Sequence, residues 1–185
     1  MSVLEYIVLS LALSIETLLI VRPCAFKSSI KLTRGLFVAL IISLIHAIFL
    51  GLGMLVGNLL MFGFPEVDNL IYLGLMIVVA LRLFVTAVRK DKNRPSYDIT
   101  RIGTTFGLAI ASGVNALFVG LALGFKVYIE NDILKSTIPL MVLTFVFAYW
   151  AIMLGRREVE VNSKRWALIG VLFLLIFALK GAFFS

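Results

Sequence analysis

Six apolar stretches, each about the length of a bilayer crossing, take up nearly the whole chain and leave it few folds to choose from. They are read as helices at about 3–21, 36–61, 67–88, 102–126, 135–155 and 165–184. A helix needs roughly 20 residues to span the hydrocarbon layer. Hydrophobic residues make up 62% of the 185, too many for the polar surface of a soluble globule of this size. A membrane β-barrel would alternate polar and apolar residues over about ten positions at a time, and no segment does so. The expectation is an all-α integral membrane protein with six transmembrane helices. The connections are short, so residues 1–185 form a single transmembrane domain.

Charge placement orients the spans. Ser2–Tyr6 carries only Glu5, whereas a signal peptide begins with a basic region. The first helix is therefore expected to be retained. Basic residues follow it (Arg22, Lys27, Lys31, Arg34) and recur at Arg89, Lys90, Lys92, Arg94 and Arg101, then at Arg156, Arg157, Lys164 and Arg165. The intervening turns hold Glu66 and Asp68, or mix Lys126 and Lys135 with Glu130 and Asp132. By the positive-inside rule the three basic loops are cytoplasmic and both termini external. This bias accounts for the net charge of +7 without invoking nucleic acid; the partner of the basic loops is the anionic lipid of the bilayer. The expected location is a cell membrane, crossed several times.

Three helices precede the basic linker at about 89–101, which contains Pro95, and three follow it. An odd number per half inserts the second half upside down, the inverted-repeat plan of many secondary transporters. Repeat 1 is expected at about 1–88 and repeat 2 at about 102–185. Ala12-Leu13-Ser14-Ile15-Glu16-Thr17-Leu18 in the first helix matches Ala111-Ser112-Gly113-Val114-Asn115-Ala116-Leu117 in the fourth, and Ala80-Leu81-Arg82 resembles Ala178-Leu179-Lys180. Small residues at 109, 113, 116, 120 and 124 stripe the fourth helix, which predicts close packing there. The sixth helix, with few such residues, is expected to show lipid a broad face.

Glu16 is the leading functional candidate. A charged side chain at mid-bilayer costs roughly 2.5–3.5 kcal/mol on insertion scales and usually faces a protein interior or a wet cavity. Such a carboxylate either takes up a proton or holds a cation; a protonated acid joining two helices is the bland alternative. Ser14 and Thr17 flank it as hydrogen-bond donors. Asn115 offers an amide oxygen and two donors, and serves either as a ligand or as interhelical glue. Ser112 shares its face. His46, the only histidine, is a proton relay, a metal ligand or a satisfied polar contact, with Ser43 one turn away. As a metal ligand it needs Glu16 or Asn115 nearby. Arg82 either snorkels to the cytoplasmic surface or pairs with Glu16, while Lys180 is expected to snorkel outward. Cys24, alone, excludes an internal disulfide and a thiolate metal cluster.

These residues resemble the MntP-type manganese efflux family, within the LysE-like exporters. Ser14-Ile15-Glu16-Thr17 and Gly113-Val114-Asn115-Ala116 stand where that family has Ser-x-Asp-Ala elements. Gly51-Leu52-Gly53-Met54-Leu55 resembles the end of its helix 2, Leu154-Gly155-Arg156 the end of its helix 5, and Arg82 falls where it has an arginine. The departures are a longer acid at Glu16, an uncharged Asn115, and Ile42 where the family has a helix 2 acid. The resemblance implies a secondary exporter of a small divalent cation such as manganese, with Glu16 and Asn115 as metal-binding groups.

No phosphate-binding glycine loop, histidine pair or Ser/His/Asp set is present, so no enzyme activity and no resident cofactor are expected; a divalent metal would be cargo. Two other readings keep the same scaffold. One is an exporter of an amino acid or other small organic solute. The other is a non-transporting membrane scaffold or regulatory subunit, which predicts no cavity at Glu16. Oligomeric state is left open by the sequence.

Overall fold

The computed structural model describes residues 3–27, 30–61, 68–88, 97–126, 129–157 and 163–183. Six helices run in order: α1 (Val3–Lys27), α2 (Leu32–Met61), α3 (Asp68–Val88), α4 (Ile102–Gly124), α5 (Ile129–Arg156) and α6 (Ser163–Phe183). No strand occurs among the described residues. Helix is the expected answer for apolar chain in oil, because each segment then satisfies its own backbone polar groups. By length and composition, α1 to α5 are each able to cross a membrane. Most of the 89–101 linker, including Arg89–Pro95, lies outside the described residues, as do Glu66 and the side chains of Asp68, Glu130 and Asp132.

Two helices run further than the sequence suggests. Arg22 and Pro23 read as a stop, yet α1 continues through Pro23 to Lys27. The added turn is packed: Cys24 and Ala25 are buried, and Gly155 of α5 lies against Arg22 O, Ala25 and Phe26. α5 begins at Ile129 and passes through Pro139. Just before that proline, the Ser136 and Thr137 hydroxyls both donate to Ile133 O, at 2.9 and 2.7 Å. Ser136 also reaches Met54 Sδ on α2 at 3.0 Å.

α1 and α4 are the most enclosed spans. The most extensive packing is α2 on α4, followed by α1 on α5, α2 on α5 and α3 on α6; α1 also meets α6 and α3 meets α4. Exchanging the first three helices for the last three leaves this set of pairs unchanged. Glycine sets the closest approach. A methyl on Gly53 or Gly57 would strike the α4 backbone at Leu117 or Leu121, and one on Gly120 or Gly124 would strike α2 at Leu50 or Met54. Gly57 meets Leu121 O and Gly124 as Gly155 meets Arg22 O and Ala25, the same contact recurring one half-chain further along.

α3 and α6 form an outer layer. Tyr72, Met76, Val79, Ala80 and Leu83 bury one face of α3, while Leu168, Ile169, Leu172, Ile176 and Leu179 leave α6 broadly exposed. Tyr72 donates to Phe177 O at 3.2 Å. Lys180, expected to snorkel outward, pairs with Glu5 near the start of α1. At the other end of the bundle an Asp98 turn leads into α4: Thr100 N and Oγ1 donate to Asp98 Oδ1 at 2.9 and 2.6 Å. Arg34 of α2 donates to Thr100 O.

Candidate functional site

The two enclosed helices bring the polar positions together. Glu16 on α1 and Asn115 on α4 are 4% and 1% exposed, although both sit in apolar helices. The Glu16 carboxylate interacts with the Asn115 side chain and with the charge of Arg82. Asn115 Nδ2 is buried without a hydrogen-bond partner.

Arg82 is exposed, but neither snorkels away nor forms an ion pair with Glu16. Its Nη1 donates to Asn115 Oδ1 at 2.8 Å and its Nη2 to Ala111 O at 3.2 Å, both on α4. A guanidinium can only donate, so the amide oxygen of Asn115 is committed to Arg82 and its nitrogen is left for Glu16. The three groups form a chain: carboxylate, amide, guanidinium.

A cavity of about 230 Å³ opens on this chain, lined by Glu16, Arg82 and Ser112 with Thr86, Tyr97 and Pro23 among its walls. Thr86 lies near the end of α3, Pro23 near the end of α1 and Tyr97 before α4. The cavity therefore lies toward the helix ends that carry the basic connections.

The remaining candidates divide. Ser112 joins the cavity and bonds His46 Nε2 at 3.0 Å; its hydroxyl also donates to Ala109 O. His46 is thus one hydrogen bond behind the cavity wall, with Nδ1 buried and unpartnered. Gly113 makes room for the ring, since a methyl there would lie 3.3 Å from His46 Cδ2. Ser43 turns back to Leu40 O at 2.9 Å. Neither Ser14 nor Thr17 donates to Glu16, contrary to expectation. Ser14 donates to Ser10 O at 2.7 Å and meets Thr144 Oγ1 at 3.2 Å, and Thr17 Oγ1 is buried without a partner. For Ser14, the helical backbone and Thr144 of α5 take up the hydroxyl instead.

Thr144 was not singled out from sequence. It is fully buried and precedes Gly155 by the same interval as His46 precedes Gly57. Ser14–Thr144 bridges α1 to α5 as Ser112–His46 bridges α4 to α2. That register, Gly53-Met54-Leu55-Val56-Gly57 against Ala151-Ile152-Met153-Leu154-Gly155, is the signal that would have found it.

No group of three or more His, Cys, Asp or Glu able to hold a metal occurs among the described residues. One carboxylate and the Ser112 hydroxyl are what the cavity offers a cation in this arrangement, with the Asn115 oxygen held by Arg82.

The family model described as "Putative manganese efflux pump" matches residues 29–181. The chain belongs to this manganese efflux family. Two curated relatives carry the name "Putative manganese efflux pump MntP". One, from Crocosphaera subtropica, is 24% identical over 151 residues, covering 82% of this chain and 79% of its own. The other, from Gloeothece citriformis, is 22% identical over 181 residues, covering 97% and 94%. No solved structure matches significantly. The efflux-pump family and the apolar helices agree on a multi-pass membrane transporter.

Proposed function

We propose that the chain is a secondary transporter of six membrane-spanning helices in two inverted halves, exporting a small divalent cation such as Mn²⁺. The observation that carries this is the buried Glu16 carboxylate facing a cavity at the basic ends of the helices. Those ends are cytoplasmic by the positive-inside rule, so the cavity takes cargo from inside the cell. Both termini are then external.

The exchange symmetry of the helix pairs, and the matched Gly57 and Gly155 contacts, support the repeat. The names of the relatives support manganese as cargo. Hard Mn²⁺ suits carboxylate, amide and hydroxyl oxygens: Glu16 supplies the charge, with Asn115 and Ser112 as neutral ligands. His46 stands behind Ser112 and tunes that hydroxyl; Ser14 and Thr17 shape α1, and Ser43 supports α2. Exchange against protons supplies the energy, since the sequence holds no nucleotide motif. A non-transporting scaffold would leave no cavity at Glu16, and one of about 230 Å³ is there.

Cells made sensitive to manganese by loss of their own exporter test the reading. Expressing this chain should restore growth and lower cell manganese, and Glu16→Gln, made to equal membrane level, should do neither. Equal rescue by the two would refute it.

A second reading rests on one observation: opposite charges, Glu16 and Arg82, line the same cavity. A small zwitterion would set its ammonium on Glu16 and its carboxylate on Arg82. Efflux of labelled amino acids that is lost in Arg82→Gln would favour it.

A further inference from the structure

Arg82 occupies the place a cargo cation needs. Its guanidinium is bonded to Asn115 Oδ1 and Ala111 O, its charge acts on Glu16, and it lines the cavity through which Glu16 is reached. While it stays there, Asn115 has no oxygen to offer, and Glu16 already has a positive charge beside it. We propose that Arg82 is a tethered cation that the cargo must displace, and that this displacement selects divalent over monovalent ions. The proposal rests on the cation-export reading and adds to it a residue that decides specificity.

The selection follows from charge arithmetic. A monovalent ion at Glu16 offers no more charge than the guanidinium it replaces. It also competes against a group held at high effective concentration by its own chain. A divalent ion brings twice the charge to the carboxylate. Once Arg82 swings away, the ion also gains the freed Asn115 oxygen, so entry and completion of the ligand set are a single event. Arg82 is exposed and its side chain is long, so it can leave without moving α3.

The test is Mn²⁺ binding to the purified full-length chain by titration calorimetry, with and without excess K⁺. The wild-type protein should bind Mn²⁺ in a manner lost in Glu16→Gln and indifferent to K⁺. Arg82→Gln should bind Mn²⁺ about tenfold tighter but become sensitive to K⁺. Arg82→Lys, which keeps the charge and guards against a folding failure of the first variant, should stay indifferent to K⁺. The proposal is overturned if wild-type binding depends on Glu16 while Arg82→Gln binds no tighter and ignores K⁺, or if Arg82→Lys becomes as K⁺-sensitive as Arg82→Gln. If wild-type protein shows no Glu16-dependent Mn²⁺ binding at all, the cation reading itself fails and takes the proposal with it. The two failures are thereby distinct.

Discussion

At the scale of single residues, two of the buried polar atoms without a hydrogen-bond partner among the described residues, His46 Nδ1 and Asn115 Nδ2, stand at or just behind the site. His46 has one nitrogen bonded to Ser112 and one bare, so Ser112→Ala should leave the whole ring unsatisfied. A buried polar group deprived of its partner costs about 1–3 kcal/mol; thermal unfolding in detergent should show a loss of that order. Asn115→Asp is a sharper case. The new carboxylate bonds Arg82 more strongly, since charge-assisted bonds are roughly twice as strong as neutral ones. It also attracts a divalent ion with twice the charge of the guanidinium, and Coulomb energy scales with that product. The second effect wins, so Mn²⁺ affinity should rise about tenfold by calorimetry, a gain of ~1.4 kcal/mol. Glu16 and Asn115 were legible in the sequence because a polar residue in oil has no cheap explanation. The role of Arg82 was not, because only the packing of α3 on α4 decides which acceptors its fork reaches. Thr144 was hidden for the opposite reason: one threonine in an apolar helix looks ordinary until its register against His46 is known.

Among the elements, the α2–α4 crossing is the most constrained. Gly57 and Gly124 have the opposing backbone where a methyl would go, whereas Gly107, also on α4, has open space. Overpacking of this kind costs typically 1–3 kcal/mol, and a backbone neighbour cannot turn aside as a side chain can. Gly57→Ala and Gly124→Ala should each lower the melting temperature in detergent, and Gly155→Ala should do likewise at the matching α1–α5 contact. Gly107→Ala should be neutral or stabilising by up to ~1 kcal/mol, the helix-propensity gain. The small-residue stripe had announced the α4 crossing from sequence alone. Helix ends were less readable: Arg22-Pro23 carries the local chemistry of a stop, yet the packing of Cys24 and Ala25 against α5 takes α1 past it to Lys27, and α5 starts at Ile129 rather than near 135.

For the whole molecule, the apolar runs point to an all-helical membrane chain, because the bilayer permits so few alternatives, and five of the described helices are long and apolar enough to cross it. Orientation rests on charge bias, and it is directly testable. In a Cys24→Ser background, a cysteine introduced at Glu66 should react with a membrane-impermeant maleimide in intact cells. One introduced at Lys92 should react only after the membrane is opened. The reverse pattern would turn the cavity outward and argue for uptake.

The central claim is that a lone buried carboxylate carries the ion across. Reconstituting the purified chain into vesicles that hold a Mn²⁺-quenched dye tests it most directly, with wild type and Glu16→Gln at equal density. The account predicts Mn²⁺ flux through the wild-type protein and flux at the level of empty vesicles through Glu16→Gln; equal flux through both would contradict it.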